Sequence, residues 1–215
     1  MKTSWVPLTY RIVSERKDAP EVLSKMSIYY TLILIPPALL ISFLAKEIIF
    51  IFNKPDYFAV AEYIPFFVLG FLMFGIGHIY GRGLDLAKKT NLFWVIYFAY
   101  ICVSLISLSL LVPRYGVWGA IASFILSGIA RETTQIGLAF KYYPRPLEMT
   151  QIFKILFATS ALVVLLYLIK IENIYLAILI KTVVILLGSV GIIRWTLGPQ
   201  GFNNVIRLKF LKSVV

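Results

Sequence analysis

The sequence predicts an all-α integral membrane protein, a bundle of about six transmembrane helices, and three observations lead there. Of its 215 residues, 60% are hydrophobic and only 14% are charged, with a mean hydropathy of +0.87; a water-soluble domain of this size carries far more charge. Apolar runs recur from Met26 onward, each near the roughly 20 helical residues that cross a hydrocarbon core. The basic residues collect in every second gap between those runs. The runs lack the two-residue alternation of barrel strands, which leaves the helix as the form that satisfies its own backbone in lipid.

Residues 1–25 read as a cytoplasmic segment leading into the bundle, which occupies 26–193. The spans are expected at Met26–Ala45, Val60–Gly81, Leu92–Val112, Tyr115–Phe140, Ile152–Ile169 and Ile174–Ile193. Pro36-Pro37 is expected to kink the first, and Pro65 lies near the start of the second. The stretch Val112-Pro113-Arg114-Tyr115-Gly116 is expected to be a short turn joining the third and fourth as an antiparallel hairpin. In 194–215, Phe202, Val205, Ile206, Leu208, Phe210 and Leu211 alternate with Arg207, Lys209 and Lys212. That mixture predicts an amphipathic helix lying on the cytoplasmic leaflet.

Lys and Arg favour cytoplasmic loops. Counted gap by gap, 15 of the 21 fall on the side that carries both termini and 4 on the other; the remaining two, Arg131 and Lys181, lie within spans. A cytoplasmic membrane location with both termini in the cytoplasm follows. The net charge of +11 points to anionic lipid headgroups rather than nucleic acid, because the cations are scattered over membrane-proximal loops without a basic helix or aromatic platform. Cys102 is the only cysteine and lies mid-span, so neither a disulfide framework nor a zinc site is expected. No cleavable signal is expected either, since the first apolar run is too long and begins too far in. P-loop, GxSxG, HExxH and paired-Asp motifs are missing and His78 is the only histidine. The expectation is therefore a non-enzymatic channel, transporter or scaffold without a cofactor.

Ionisable groups at membrane depth are costly and face a cavity, a partner or the headgroups. Tyr115–Ala130 is uncharged, and Arg131 and Glu132 then follow, with Thr133, Thr134 and Gln135 behind them. Arg131 shares a helix face with Ser127 and Gln135. Turned inward, its planar fork suits a phosphate or pyrophosphate; alternatively the span ends near Ala130 and these residues sit among headgroups. Gly70, Gly77 and Gly81 punctuate the second span, and Gly77-His78-Ile79-Tyr80-Gly81 fits GxxxG. Bare backbone there serves close helix packing or a hinge. His78 and Arg82, four residues apart, form either a polar strip along a path or an interior histidine with a snorkelling arginine.

Gly81-Arg82-Gly83-Leu84-Asp85-Leu86-Ala87-Lys88-Lys89-Thr90-Asn91 is followed by one uncharged helix and then by Leu111-Val112-Pro113-Arg114-Tyr115-Gly116-Val117-Trp118-Gly119-Ala120-Ile121-Ala122. This order resembles the C-terminal half of polysaccharide exporters, the O-antigen and teichoic-acid type flippases of the multidrug/oligosaccharidyl-lipid/polysaccharide exporter superfamily. Trp5-Val6-Pro7 with Tyr10, Lys17-Asp18-Ala19, Tyr29-Tyr30 and Lys141-Tyr142-Tyr143-Pro144 add to the likeness, which covers roughly residues 5 to 150 of the sequence.

The resemblance implies a MATE-like fold of two pseudo-symmetric lobes around a cationic cavity, moving a polyprenyl-pyrophosphate-linked oligosaccharide by alternating access. It implies also that this chain carries only the last helices and works with a missing N-terminal half. On that reading Arg131, His78, Arg82, Glu132 and Gln135 are the cavity candidates, while Gly70, Gly77 and Gly81 serve packing. A drug/cation antiporter of the same superfamily would need a deep carboxylate, for which Glu132 and Glu62 are the candidates. A non-transporting scaffold of a polysaccharide assembly complex would need the glycines but not the charge. A membrane glycosyltransferase would need a larger external loop than Lys46–Ala59 provides.

Overall fold

A computed structural model describes residues 2–52, 57–169, 171 and 173–206, with side chains for 9–52, 57–169, 171 and 173–199. All regular structure among them is helical. The chain divides into two compact units, one of Met1–Pro36 with Arg145–Val215 and one of Pro37–Pro144. The division falls between the two prolines of helix α2 (Ala19–Phe43).

Among the described residues five helical segments are long and apolar enough to cross a membrane: Ala19–Phe43, Ile64–Leu86, Thr90–Tyr115, Met149–Leu168 and Ile174–Pro199. The chain is thus an all-helical protein with multi-pass membrane character. The expected fourth span forms a helix of 26 residues, Val117–Tyr142, but is not among the five. Five of the six expected spans thus qualify by length and composition, while this helix is long enough but more polar. The cause is local: Arg131 to Gln135 put five polar side chains in the middle of an otherwise apolar helix, and charges weigh most against a span near its centre.

In the unit 37–144, α2 ends at Phe43 and two short helices follow, α3 (Ala45–Ile51) and α4 (Phe58–Ala61). The expected span beginning at Val60 starts instead at Ile64, as α5 (Ile64–Tyr80), with Pro65 in its first turn. There the proline's missing N–H breaks no helical bond. Helix α6 (Gly83–Leu86) and a 3-10 turn at Thr90–Leu92 lead into α7 (Phe93–Tyr115), and α8 (Val117–Tyr142) follows.

The α7–α8 connection is shorter than expected. Pro113, Arg114 and Tyr115 remain helical, because the proline removes one hydrogen bond while Gly116 N–H still donates to the Val112 carbonyl at 2.9 Å. The chain reverses at Gly116 alone, with φ 54° and ψ −125°, a combination essentially reserved for glycine. One turn later Gly119 lets the backbones close up: an ideal Cβ there would collide with the Leu111 carbonyl oxygen. At the other end of the hairpin Leu84, Ile96 and Ala139 form a small buried cluster, with Leu92, Phe93 and Leu138 packed on it.

In the other unit, α1 (Lys2–Glu15) precedes the first part of α2. The segment before α9 is tied to α2 by two hydrogen bonds, Ser24 Oγ donating to the Pro146 carbonyl and Arg145 Nη1 donating to Ser27 Oγ at 3.3 Å. Helices α9 (Met149–Leu168) and α10 (Ile174–Ile206) form an antiparallel pair, in which Leu162 lies across Gly188. Gly198, with φ 69° and ψ 175°, interrupts α10, and Pro199 restarts it. The expected amphipathic tail begins in this segment, but 207–215 lie outside the described residues and so do the side chains of Phe202, Val205 and Ile206.

Substituting Gly116 with Ala is expected to destabilise the protein by about 1–3 kcal/mol through backbone strain alone, since nothing lies within 4 Å of the added carbon. The helical and equally open Gly137 provides the control: Gly137→Ala is expected to be neutral or stabilising by up to about 1 kcal/mol. Unfolding of the two variants in detergent, compared side by side, checks both values.

Candidate functional site: an ion pair where three helices meet

The α5–α8 interface sets glycines against an aromatic ring, two polar side chains and an alanine. Gly70 faces Phe124, Gly77 faces Glu132, Gly81 faces Gln135, and Gly83 at the start of α6 faces Ala139. Both sets of numbers rise together, so α5 and α8 run parallel, with α7 antiparallel between them in sequence. At Gly77 and Gly81 an ideal Cβ would overlap the Glu132 carboxylate and the Gln135 side chain. Only bare backbone admits those side chains. The GxxxG spacing is thus filled by close packing, and α5 continues as helix through both Gly75 and Gly77, which leaves no hinge within it.

Glu132 and Gln135 are buried, as are Ser123 and Ser127 on the same stripe of α8. Arg131 lies at its edge and donates from Nη1 to Glu132 Oε1 at 2.7 Å, with side chains 19% and 6% exposed. The guanidinium carbon is 5.0 Å from the Phe74 ring centroid on α5 and 5.8 Å from that of Tyr97 on α7. Two aromatic faces attract the cation in a place where water is scarce, and the adjacent carboxylate supplies its counter-charge. The other carboxylate oxygen, Glu132 Oε2, is buried without a hydrogen-bond partner among the described residues. Protein thus covers most of both side chains.

His78 and Arg82 form a second group. Arg82 Nη2 lies 2.8 Å from His78 Nε2 and Arg82 Nη1 lies 3.1 Å from Asp85 Oδ2. Because a guanidinium only donates, the histidine must accept through Nε2 and carry its proton on Nδ1. The polar strip of the sequence reading is therefore a short chain of contacts from the end of α5 into α6, in which Arg82 is 11% exposed rather than extended into solvent. Glu62, the other carboxylate considered, is exposed.

Phe74, Tyr97 and Phe124 were not singled out by sequence reasoning. Phe124 contacts Phe67, Phe71 and Phe74 within 5.8 Å between centroids, and so fixes the ring that covers Arg131. Aromatic residues are frequent throughout these helices, which left no pattern to mark these three. Asp85 did carry a signal, three residues after Arg82.

No family model, curated protein or solved structure matches this chain.

Gly77→Ala is expected to cost about 1–3 kcal/mol by overpacking. In a Glu132→Ala background the same substitution is expected to cost at least about 0.5 kcal/mol less, the coupling typical of residues in contact. A double-mutant cycle on detergent unfolding measures it, and additive costs would show that the carboxylate does not rest on Gly77.

Proposed function

We propose that the chain is the C-terminal portion of a membrane exporter or flippase that translocates a polyprenyl-pyrophosphate-linked oligosaccharide by alternating access. It resides in the cytoplasmic membrane with both termini in the cytoplasm, acts together with an N-terminal half, and carries out no covalent chemistry. The exporter-like motifs at Gly81–Asn91 and Leu111–Ala122 support the family. The observation that carries a role for the site is Arg131: a guanidinium only 19% exposed between α5, α7 and its own helix α8, bonded through Nη1 alone among the described residues. Its Nε and Nη2 remain as donors. That edge has the spacing to take two phosphate oxygens, while Glu132 keeps the cation neutralised when the substrate is away.

Buried, half-satisfied Glu132 favours a second reading, a drug/cation antiporter of the same superfamily. A carboxylate there would be the ion-coupling group, and exposed Glu62 would not.

Proteoliposomes containing the chain with its N-terminal half provide the test. Arg131→Ala is expected to slow translocation of the lipid-linked sugar about 10- to 100-fold, the worth of one charge-assisted hydrogen bond, and Arg131→Lys to recover only part, because an ammonium lacks the fork. Unchanged translocation in Arg131→Ala would overturn the flippase reading. Ion-driven drug efflux that vanishes in Glu132→Gln would establish the antiporter instead.

A further inference from the structure

The α9–α10 pair carries a feature that the transport reading leaves unused. Near the first turns of α9 and the last turns of α10 lies an open groove of about 500 Å³, lined by Met149, Thr150, Phe153, Lys154, Phe157 and Trp195. The residues follow helical spacing. Met149, Phe153 and Phe157 form one row on α9, Thr150 and Lys154 the neighbouring row, each at intervals of four. Trp195 faces them from α10.

Its position and its chemistry both point to a ligand. Helix α9 begins at Met149 and the apolar part of α10 ends at Pro199. The groove therefore opens at the ends of both apolar segments, where a spanning helix meets the lipid phosphates. Lys154 is about 7 Å along the helix from Met149, within reach of that boundary for a side chain of its length. Its Nζ is 5.8 Å from the Trp195 ring centroid, and it forms no ion pair among the described residues. The apolar wall is open: Phe157 is 71% and Trp195 50% exposed, with their rings 6.4 Å apart. A cation without a counter-charge sits beside an uncovered aromatic wall, at the depth where a molecule with a phosphate at one end and a hydrocarbon chain at the other is at hand.

We propose that this groove binds one anionic glycerophospholipid, its phosphate on Lys154 Nζ and the Thr150 hydroxyl, its acyl chain along Phe153, Phe157 and Trp195. The occupant is a lipid rather than a free anion, because five of the six lining residues contribute carbon surface and only Lys154 brings charge. The site does not rest on the flippase reading and stands or falls without it.

The test uses the full chain in phosphatidylcholine nanodiscs doped with either dibrominated phosphatidylglycerol or dibrominated phosphatidylcholine at equal mole fraction. The difference between the natural chain and Trp195→Phe isolates quenching at Trp195. Brominated phosphatidylglycerol is expected to quench about fivefold more effectively, the worth of one lysine near an anionic lipid. Lys154→Gln is expected to erase that preference while quenching by brominated phosphatidylcholine persists, which also shows that the variant is folded. Lys154→Arg and Arg194→Gln are expected to retain it. Equal quenching by the two lipids, a preference that survives Lys154→Gln, or an equal loss in Arg194→Gln would overturn the site, the last by tracing the effect to overall charge. Abolition of the preference by millimolar inorganic phosphate would overturn it as well, in favour of a free-anion site.

Discussion

The approach of α5 to α8 rests on a carboxylate laid against naked backbone. Lipid offers no hydrophobic drive to bring two apolar helices together, so contact must come from close packing and from polar groups that find partners. Glycines at 70, 77 and 81 lower one wall of the interface, and Phe124, Glu132 and Gln135 fill the space. The ion pair follows from this. With Glu132 turned against Gly77, its Oε1 receives Arg131, whose guanidinium then lies between Phe74 and Tyr97. A buried pair of this kind adds little net stability, since desolvation offsets attraction. Removing one member, in contrast, strands the other in a medium of low polarity.

That asymmetry bears on function. A protein that needed only a stable helix contact would be served as well by serines or alanines, which pack closely without desolvating charges. Retaining an arginine with free donor edges beside a half-satisfied carboxylate places a chemically responsive group inside a helical unit. Phosphate recognition and ion coupling both draw on such a group, and they differ in which of the two charges does the work.

The two units divide the labour of the chain in physical terms. Residues 37–144 hold the charged site and the tight α7–α8 reversal, where Gly116 and Gly119 let the backbones touch. The α9–α10 pair packs through Leu162 across Gly188 and leaves broad apolar surface uncovered, Tyr167 and Leu168 among it. In water such exposure would be a liability. In a bilayer it is the surface that meets acyl chains.

Helix positions were readable in the amino-acid order because a helix is a local object: its hydrogen bonds are short-range and its preference for lipid is a sum over neighbours. Apolar runs therefore located α2, α5, α7, α9 and α10, and the GxxxG spacing marked Gly77 and Gly81 as points of close approach. The same reasoning located α8 as well, where the cluster from Arg131 to Gln135 leaves the helix less apolar than the other five, and it ended the third span at Val112 although the one hydrogen bond lost at Pro113 does not stop a helix. What lies opposite those glycines belongs to three dimensions. Glu132 is 55 positions from Gly77, and no periodicity along a chain links a carboxylate to the backbone it will rest on, or a guanidinium to rings on two other helices; those pairings arise only when packing chooses which faces meet.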